Sequence, residues 1–456
     1  MPKYFAPDVF TEDGWRNSII ISVTADGVID SLQAGNVSDC DHSFSGAVIP
    51  GMVNLHSHAF QRSLIGETGL RNHADDSFWS WREAMYKRVG ELTPEHIEAI
   101  TAYCYMELLQ GGYTAVAEFH YLHRQNNGAA YQNPAETSER IFSAAQNTGI
   151  GLTLLPVLYA WAGFGEQSLT ERQLPFQHDL DSYIDLLDRV DALSSLSKLF
   201  NWGVAPHSLR AVSQTQLNDL LKYLCQQNFT GPVHIHIAEQ VREIEECRSY
   251  YGVEPVRWLL DNFAVDKSWC LVHATHVDSA ELKLMRQREL VVGLCPTTEA
   301  DLGDGIFPAA AWQELGGSWG IGSDSNICVT QSEELRWLEY TQRLQTKQRN
   351  VLAASGNQVG GSLYQQALRG GLQATSRPAA TAVAVGQRAD FLVLDLEHPL
   401  LLGKQQQQWL DCWVFAGRPQ MLLQVWVAGK CLVSNGQHIN RDEITNAWQK
   451  AWQDME

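Results

Sequence analysis

His56 and His58 are residues of this sequence whose type and spacing suit metal chemistry. They stand two positions apart, at the end of the apolar run in VIPGMVNLHSHAFQR. Alternate side chains of a β-strand point to the same face, so both imidazoles are expected to face one way. Two neutral imidazoles at this spacing can bind one divalent ion such as Zn²⁺. The pair alone is a weak indication, because the same spacing also suits a polar strand end.

Three further clusters of this kind follow apolar runs later in the chain. They are VHIHIAE with His236 and Glu239, LVHATH with His273, and GIGSDSN with Asp324. Each cluster comes at the carboxyl end of a predicted strand, where barrel enzymes assemble their active sites. A buried, hydrogen-bonded polar residue explains any one cluster, but it does not explain all of them at corresponding positions. The sequence therefore predicts the site of a metal-dependent hydrolase.

Two of these clusters contain a second histidine. His234 has the same facing as His236 but lies deeper in its strand. Glu239, three residues after His236, favours His236 as the ligand. His276 competes in the same way with His273, which directly follows the apolar run.

Eight apolar, strand-like runs alternate with helix-length segments through most of the chain. This alternation, with nearly continuous apolar strands, indicates a parallel sheet, and eight units indicate a closed (β/α)8 barrel. The runs are Gly46–Leu55, Ala115–Phe119, Gly151–Leu158, Trp202–Val204, Val233–Ile237, Trp269–Val272, Leu290–Leu294 and Trp319–Ile321.

Both ends of the chain differ from this alternating pattern. The runs Ser18–Val23, Ala389–Asp395, Trp413–Phe415 and Leu422–Val427 are typical of strands, and Arg441–Glu456 is typical of a helix. We therefore expect an α/β protein in which a TIM-type barrel carries a small β-sandwich domain built from both chain termini. The expected bounds are 1–49 for the first part of the small domain, 50–380 for the barrel, and 381–456 for the second part with the terminal helix.

The composition restricts what this protein can bind. Its 456 residues include 33 Lys and Arg against 52 Asp and Glu, a formal charge of −19. That charge argues against binding to nucleic acid or to an anionic membrane.

The sequence also indicates where the protein is located. The 9 cysteines show no CxxC spacing, so reduced thiols are expected. With no signal peptide evident and no run of the ~20 apolar residues that cross a bilayer, we expect a cytoplasmic protein. A homodimer is expected because two-fold dimers are the commonest oligomers.

The four clusters resemble the motifs of the amidohydrolase superfamily, in which a (β/α)8 barrel holds one or two divalent metals. The correspondence is HxH after the first strand, His after the fifth, His after the sixth and Asp after the eighth. The step from His236 to Glu239 is similar to the mononuclear deaminase branch, and VAPH stands where a carbamylated lysine would follow the fourth run. The strings HSHAFQR, DSFWSWREAMY, FHYLH, APHSLRAV, HIHIAEQ and GSDSN, with VGQRADFLVLD, resemble the formimidoylglutamate deiminases of histidine degradation.

The resemblance implies one divalent metal ion, most simply Zn²⁺, although this ligand set also suits iron or manganese. The implied reaction converts N-formimino-L-glutamate and water into N-formyl-L-glutamate and ammonia through a metal-bound hydroxide. Asp324 would accept the proton of the water, His273 would orient the hydroxide, and Glu239 would donate a proton to the leaving nitrogen. The implied metal ligands are His56, His58, His236 and Asp324.

A glutamate-like substrate carries two carboxylates, and arginine has a planar fork that binds a carboxylate through two hydrogen bonds. By resemblance, Arg82 and Arg210 are the expected carboxylate binders. Their expected hydrogen-bonding partners around the substrate are Gln61, Tyr121 and His207. The competing interpretation places Arg82 on an exposed helix face and Arg210 in a solvated loop.

Other residues near these motifs have less specific interpretations. His120 and His123 are interpreted as loop histidines or as supports of the site. Trp79 and Trp81 either line the pocket or pack as ordinary apolar residues. Arg62, beside Gln61, is open to a structural role.

Two other functions are compatible with parts of this pattern. A deaminase of a purine, a pterin or an S-adenosyl compound would use the same metal ligands but would favour aromatic stacking over paired arginines. A barrel without catalysis that serves as an assembly protein would be expected to lack some ligands, whereas all four and Glu239 are present.

Overall fold

The computed structural model describes residues 1–69 and 77–455 of the chain. It contains a barrel of parallel strands and a mixed sheet to which both ends of the chain contribute. The strands are β1 (Lys3–Thr11), β2 (Gly14–Val23), β3 (Ile29–Ala34), β4 (His42–Ser43), β5 (Ala47–Pro50), β6 (Met52–Ser57), β7 (Tyr113–His120), β8 (Gly151–Leu158), β9 (Phe200–Trp202), β10 (Ala205–Pro206), β11 (Val233–Ile237), β12 (Trp269–His273), β13 (Val291–Leu294), β14 (Ser318–Ile321), β15 (Phe391–Leu394), β16 (Leu422–Val427), β17 (Lys430–Ser434) and β18 (Gln437–His438).

Most of the helices surround the barrel strands and follow them in the chain. They are α1 (Phe78–Val89), α2 (Pro94–Gln110), α3 (Glu136–Thr148), α4 (Leu180–Leu193), α5 (Gln214–Gln226), α6 (Val241–Tyr251), α7 (Pro255–Asn262), α8 (Ser279–Gln287), α9 (Pro296–Leu302), α10 (Ala309–Glu314), α11 (Gln331–Thr346), α12 (Val359–Ala374), α13 (Gln406–Ala416) and α14 (Arg441–Met455).

Strands β6 to β14 form the barrel. One parallel sheet contains β6, β7 and β8 with β9 and β10, and a second contains β11 to β14. Parallel bridges from Val204 to Val233 and from Ser57 to Asp324 join the two sheets at both edges. Because β9 and β10 both pair with β8 and together replace the predicted run Trp202–Val204, the ring has eight strand positions. This confirms the predicted (β/α)8 barrel.

Helix α2 shows how local sequence sets the ends of an outer helix. Thr93 precedes it, and its hydroxyl oxygen accepts a hydrogen bond from the backbone N–H of His96 at 3.3 Å. Pro94 occupies the first turn, where the N–H that proline lacks would have no helical partner. Strands β7 and β8 are buried along their full length, because barrel side chains cover one face and helices cover the other.

The terminal sheet joins the two ends of the chain. Its strand order is β18, β17, β16, β15, β5, β1, β2, β3, with β4 also paired to β1. Strand β5 from the first part pairs antiparallel with β15 from the second part. The sheet has its own apolar cluster, which includes Tyr4, Val9, Ile21, Val48 and Val393.

Two further predicted strands differ from the structure. The run Gly46–Leu55 divides at Gly51, where β5 leaves the terminal sheet and β6 enters the barrel. A Cβ at Gly51 would lie 2.3 Å from the Thr114 side chain, so the chain passes closely there. The predicted strand Trp413–Phe415 is wrong, because it lies within α13, which packs against α12 and α11. Leu410, three residues before Trp413, is also buried, and this spacing is helical.

The remaining terminal predictions fall partly outside the described residues. Helix α14 matches the predicted terminal helix, whose last residue, Glu456, lies outside the described residues. Asp76, the first residue of the string DSFWSWREAMY, also lies outside them. Across 1–69 and 77–455, no helix combines the length and apolar character needed to span a membrane.

Candidate active site

Five side chains predicted to do chemistry meet at the carboxyl ends of the barrel strands. The first strand position, β6 and the residue after it, contributes His56 and His58; β11 contributes His236 and β12 contributes His273. Asp324 follows β14, and its backbone N–H donates to the His56 carbonyl oxygen at 3.0 Å. The closed ring therefore brings together residues that are up to 268 positions apart in sequence.

Four of these residues have the geometry of a metal-binding cluster. His56, His58, His236 and Asp324 are buried, and their ligand atoms all lie within 4.8 Å of one another. Asp324 Oδ1 is 3.4 Å from His56 Nε2 and 3.3 Å from His58 Nε2. The Nε2 atoms of His56 and His236 are 3.0 Å apart. Three imidazoles and one carboxylate converge on a common point.

The protonation of these side chains suits a divalent cation. His58 Nδ1 lies 2.8 Å from the Phe119 carbonyl oxygen, which can accept only a proton-bearing nitrogen, so Nε2 is left free to bind a metal. Burial lowers the pKa of His56 to about 3 and also lowers the pKa values of His58 and His236. For Asp324 burial acts in the opposite direction, but the hydrogen bond from His56 and the nearby histidines outweigh it and lower the pKa. Neutral imidazoles and an ionised carboxylate are a donor set that Zn²⁺ and similar ions accept.

Glu239 and His273 lie beside this cluster without joining it. His273 Nε2 is 3.9 Å from Glu239 Oε1 and 3.8 Å from Asp324 Oδ2. Burial raises the pKa of Glu239 to about 7, so its carboxyl can gain and lose a proton near neutral pH. For His273 burial opposes protonation, but Glu239, Glu299 and Asp324 outweigh it and raise the pKa to about 10.

The backbone turns sharply at three of these strand ends. Ala238, His273 and Asp324 have φ angles of 52°, 67° and 46°, in the left-handed region that non-glycine residues rarely adopt. Such conformations cost about 1–3 kcal/mol each and persist where surrounding contacts fix them. Asn326 provides such contacts, because its Nδ2 donates to the carbonyl oxygens of His58 and Asp324, each at 3.0 Å. Strained backbone thus aims these side chains into the barrel mouth.

Three buried glutamates that sequence reasoning missed hold the site in place. Glu243 accepts hydrogen bonds from the backbone N–H groups of Ala238 and Glu239, both at 3.0 Å. Glu299 Oε1 lies 3.3 Å from His273 Nδ1 and also accepts from the Cys295 N–H. Glu118 Oε1 accepts from the N–H of Ala59, directly after His58, at 2.6 Å. Of the three, only Glu118 could have been found from the sequence, because an acidic residue within an apolar strand is unusual. Glu243 and Glu299 lie in helical segments where glutamate is common.

The predicted substrate-binding residues line the same pocket. Arg82, Arg210, Gln61, Tyr121 and His207 surround a space that also reaches His236, Glu239 and Asp324. Gln61 Nε2 donates to the Tyr121 hydroxyl oxygen at 2.8 Å. Tyr86 and Tyr159, which sequence reasoning did not single out, lie in the same lining.

The two arginines of this pocket have no carboxylate partner. Within the described parts of the chain, no Asp or Glu lies at salt-bridge distance from Arg82 or Arg210, and Arg82 Nε is buried without an acceptor. The Arg82 guanidinium instead stacks over the Trp79 ring, 4.4 Å from its centroid. Burial lowers the pKa of Arg82, and the charge of Arg210 lowers it further. Two unpaired cations in one enclosed pocket favour an anionic ligand.

The competing histidines occupy other positions. His234 Nε2 lies 2.7 Å from the Ala374 carbonyl oxygen, and His276 Nε2 lies 2.9 Å from that of Asp304. His120 is hydrogen-bonded to the Thr137 hydroxyl at 3.0 Å.

The remaining neighbours divide between packing and the pocket. His123 Nε2 accepts from the Val157 N–H at 3.3 Å. Arg62 pairs with Glu107 at 2.7 Å and donates to a backbone carbonyl. Trp81 lines the pocket, whereas Trp79 has the guanidinium groups of Arg82 and Arg242 over its ring, 4.4 Å and 4.3 Å from the centroid.

Comparison with known proteins agrees with this geometry. The model of the amidohydrolase family matches residues 47–432. A formimidoylglutamate deiminase of Pseudomonas aeruginosa is 45% identical over 449 residues, which cover 98% of each chain. The crystal structure of an amidohydrolase from Brucella melitensis is 43% identical and superposes over 100% of both chains with a TM-score of 0.94. An adenosine deaminase from Xanthomonas campestris with bound zinc shares the fold, at 20% identity, a TM-score of 0.79, and coverage of 99% and 98%. The chain therefore belongs to the amidohydrolase family and, within it, to the formimidoylglutamate deiminases.

Proposed function

We propose that this protein hydrolyses N-formimino-L-glutamate to N-formyl-L-glutamate and ammonia. The observation that carries the proposal is one pocket that joins the buried metal-binding cluster to two unpaired arginines, Arg82 and Arg210. The cluster supplies hydrolytic chemistry, and the arginines select an acidic substrate. The 45% identity to the Pseudomonas enzyme supports the same reaction.

The substrate is held by its two carboxylates. Arg82 and Arg210 each offer a planar set of donors that suits a carboxylate, and Gln61 Oε1 is a buried acceptor without a partner in the described chain. Tyr121 and His207 complete the lining on the side of β7 and β10. With the carboxylates on the arginines, the formimino group extends toward Glu239 and the metal ligands.

The metal is a single divalent ion, and Zn²⁺ is the ion we expect. Its ligands are His56, His58, His236 and Asp324, a donor set of nitrogen and oxygen atoms that zinc prefers. When bound, such an ion lowers the pKa of a water molecule from 15.7 toward ~7 and polarises the group under attack.

The chain's own residues move the protons. Asp324 Oδ2, on the side of its carboxylate that faces His273, accepts a proton from the attacking water. Protonated His273 is held by Glu299 and donates a hydrogen bond toward the reacting oxygen. Glu239, whose pKa of about 7 permits both states, protonates the imino nitrogen. The C–O bond forms while the C=N bond becomes a C–NH2 single bond. The proton held by Asp324 then passes to this nitrogen and the hydroxyl proton returns to Glu239, so that the C–N bond breaks, the formyl C=O forms and ammonia leaves.

The other functions receive less support. A purine, pterin or S-adenosyl deaminase would leave Arg82 and Arg210 without a role, and the zinc-containing adenosine deaminase is only 20% identical. A non-catalytic assembly protein has no need of four convergent metal ligands with Glu239 and His273 beside them.

We also propose the arrangement of the whole protein. The terminal strands form a small β-sandwich domain from residues 1–49 and 381–456, and residues 50–380 form the barrel. The separate apolar cluster of the terminal sheet supports this division. The protein acts as a cytoplasmic homodimer on a small acidic substrate and binds neither nucleic acid nor membrane, as expected from its charge of −19.

A substrate panel tests the proposal. The protein is stripped of metal with a chelator and titrated with Zn²⁺, and ammonia release is measured on N-formimino-L-glutamate, N-formimino-L-aspartate, adenosine, guanine and cytosine. We expect release from N-formimino-L-glutamate that rises until one ion is bound per chain. Activity on the nucleobase compounds alone would refute the proposal.

A matched pair of variants tests the arginine assignment in the same assay. Arg82→Met should lower kcat/KM for N-formimino-L-glutamate by about 10- to 100-fold, the effect of losing a charged hydrogen bond. The control is Arg349→Met, because Arg349 is exposed and lies far along the chain in the loop after α11. Equal kcat/KM values for the two variants would show that Arg82 does not bind the substrate.

A further inference from the structure

A cavity of about 480 Å³ lies at the end of the barrel opposite the candidate active site. It is bounded by the start of β6, the last turns of α12 and the segment that leads into β15. Its lining includes Val53, Leu368, Leu372, Arg377, Val383 and Arg388. Since β6 spans about 17–20 Å between its ends, this cavity is separate from the metal ligands at the carboxyl edge.

Arg377 projects a guanidinium into this cavity without a partner. Among residues 1–69 and 77–455, no hydrogen-bond acceptor or carboxylate is paired with its side chain. The nearby carboxylate, Asp390, is already engaged, because Arg388 Nε donates to its Oδ1 at 2.8 Å. Arg388 also donates to the Thr114 carbonyl oxygen at 3.1 Å. Arg377 is half-buried, so its unpaired guanidinium is accessible to a ligand that enters the cavity.

The charges around the cavity leave an excess of one positive charge. Arg377 and Arg388 face the single carboxylate of Asp390, and at the rim Lys198 is paired with Asp26 at 2.6 Å. Burial and the charge of Arg388 lower the pKa of Arg377 to about 9, although Asp390 acts in the opposite direction. An anion bound there would stabilise the charged form of Arg377. The excess is local, since the whole chain carries −19.

Apolar side chains make up much of the rest of the cavity wall, beside the polar Asn201, Ser376 and Gln387. They are Leu368 and Leu372 of α12, with Val383 and Ile29. Inorganic ions gain nothing from such a surface, whereas the hydrocarbon part of an organic anion does. The combination of one free guanidinium and an apolar wall defines an amphipathic ligand.

We propose that this cavity binds a small organic anion, whose carboxylate or phosphate group pairs with Arg377 while its apolar part lies against Leu368 and Leu372. The site is distinct from the deiminase pocket and independent of the function proposed for it. Because the cavity contacts both α12 and the segment before β15, an occupant stabilises the junction between the barrel and the terminal sheet.

Thermal unfolding and calorimetry test this site. The metal-loaded protein is titrated with butyrate or butyl phosphate, which share an apolar tail and differ in the head group, against chloride at equal ionic strength. We expect the melting temperature to rise with at least one of the two anions and the rise to be mostly lost in Arg377→Gln, but kept in Arg349→Gln. The stronger of the two anions identifies the head group as carboxylate or phosphate. An equal rise in wild type and Arg377→Gln would overturn the proposal.

Binding at the active-site arginines is separated by a second measurement. Butyrate should inhibit turnover competitively with the same inhibition constant in wild type and Arg377→Gln, because Arg377 is remote from that pocket. If Arg377→Gln does not fold, Arg82→Met, in which the anion pocket of the candidate active site is weakened, is titrated by calorimetry with the two anions. One anion bound per chain under these conditions supports the second site, and no binding refutes it.

Discussion

At the scale of single residues, the candidate centre divides its carboxylates into two kinds. Asp324 is kept ionised by the histidines around it, which suits a metal ligand. Glu239, which approaches the same His273 nitrogen as Asp324, has a pKa raised to about 7 by burial, which suits a group that exchanges protons. Their different surroundings therefore suit Asp324 to metal binding and Glu239 to proton transfer.

Glu239→Gln should separate proton transfer from metal binding. The amide keeps the size of the side chain but cannot deliver a proton, so kcat should fall by about 10²–10⁴-fold. The metal content should stay unchanged, because Glu239 is not among the four clustered ligands. Metal analysis and steady-state ammonia release on the same preparation check both points.

The matched control for this variant is Glu245→Gln. Glu245 is exposed on α6, six residues further along the chain, and should tolerate the change without loss of activity. Loss of bound metal in Glu239→Gln would make Glu239 a ligand and would remove it from the proton-transfer role.

At the scale of secondary-structure elements, the site depends on supports that sequence patterns do not reveal. The strand ends could be predicted, because apolar runs of the right length end within one residue of His56, His236 and His273. The glutamates that fix these ends could not. Glu243 and Glu245 look alike in sequence, and only the path of the chain shows that one is buried and the other exposed.

The same limit explains the misjudged strands. Trp413–Phe415 is a short apolar run that suits a strand or a buried helix equally, and its packing against α11 and α12 decides the outcome. The division of Gly46–Leu55 at Gly51 depends on which sheet each half joins. A local sequence pattern does not show which distant segment a strand will pair with.

Glu243→Ala tests the support of an element directly. Glu243 joins the first turn of α6 to the end of β11 by accepting two backbone N–H groups, one of them from Glu239. Without it, two buried donors lose their acceptor, which costs about 1–3 kcal/mol. We expect a lower melting temperature and a fall in kcat with little change in KM, because Glu239 is displaced while the arginines stay in place.

Rescue distinguishes positioning from simple loss of stability. Glu243→Gln keeps one acceptor oxygen and should recover part of kcat, whereas Glu245→Ala should change neither kcat nor the melting temperature. A parallel rise of KM and fall of kcat in Glu243→Ala would indicate general disruption of the pocket instead.

At the scale of the whole molecule, the negative charge and the acidic substrate are compatible because charge is distributed unevenly. The surface carries most of the −19, while the pocket presents Arg82, Arg210 and the metal site. Added salt screens exposed charges more than enclosed ones, so the contacts made inside the pocket should depend little on ionic strength. A net negative charge disfavours polyanions, but it does not disfavour a small anion that binds in a cationic pocket.

Buried neutral histidines make the stability of the whole protein dependent on pH. Burial lowers the pKa values of His178 and His234 to about 4, and Arg124 lowers that of His178 further while Asp179 opposes it. Between these values and the unfolded value of about 6.5, the unfolded chain binds protons that the folded chain does not. Stability therefore falls as pH falls, by at most about 1.4 kcal/mol per pH unit for each group. Urea unfolding from about pH 7 to about pH 5 should show this loss of stability. His178→Gln should make the free energy of unfolding depend less steeply on pH, whereas His42→Gln, at an exposed position, should leave this dependence unchanged. Equal slopes in the wild type and both variants would show that His178 does not contribute to the acid sensitivity.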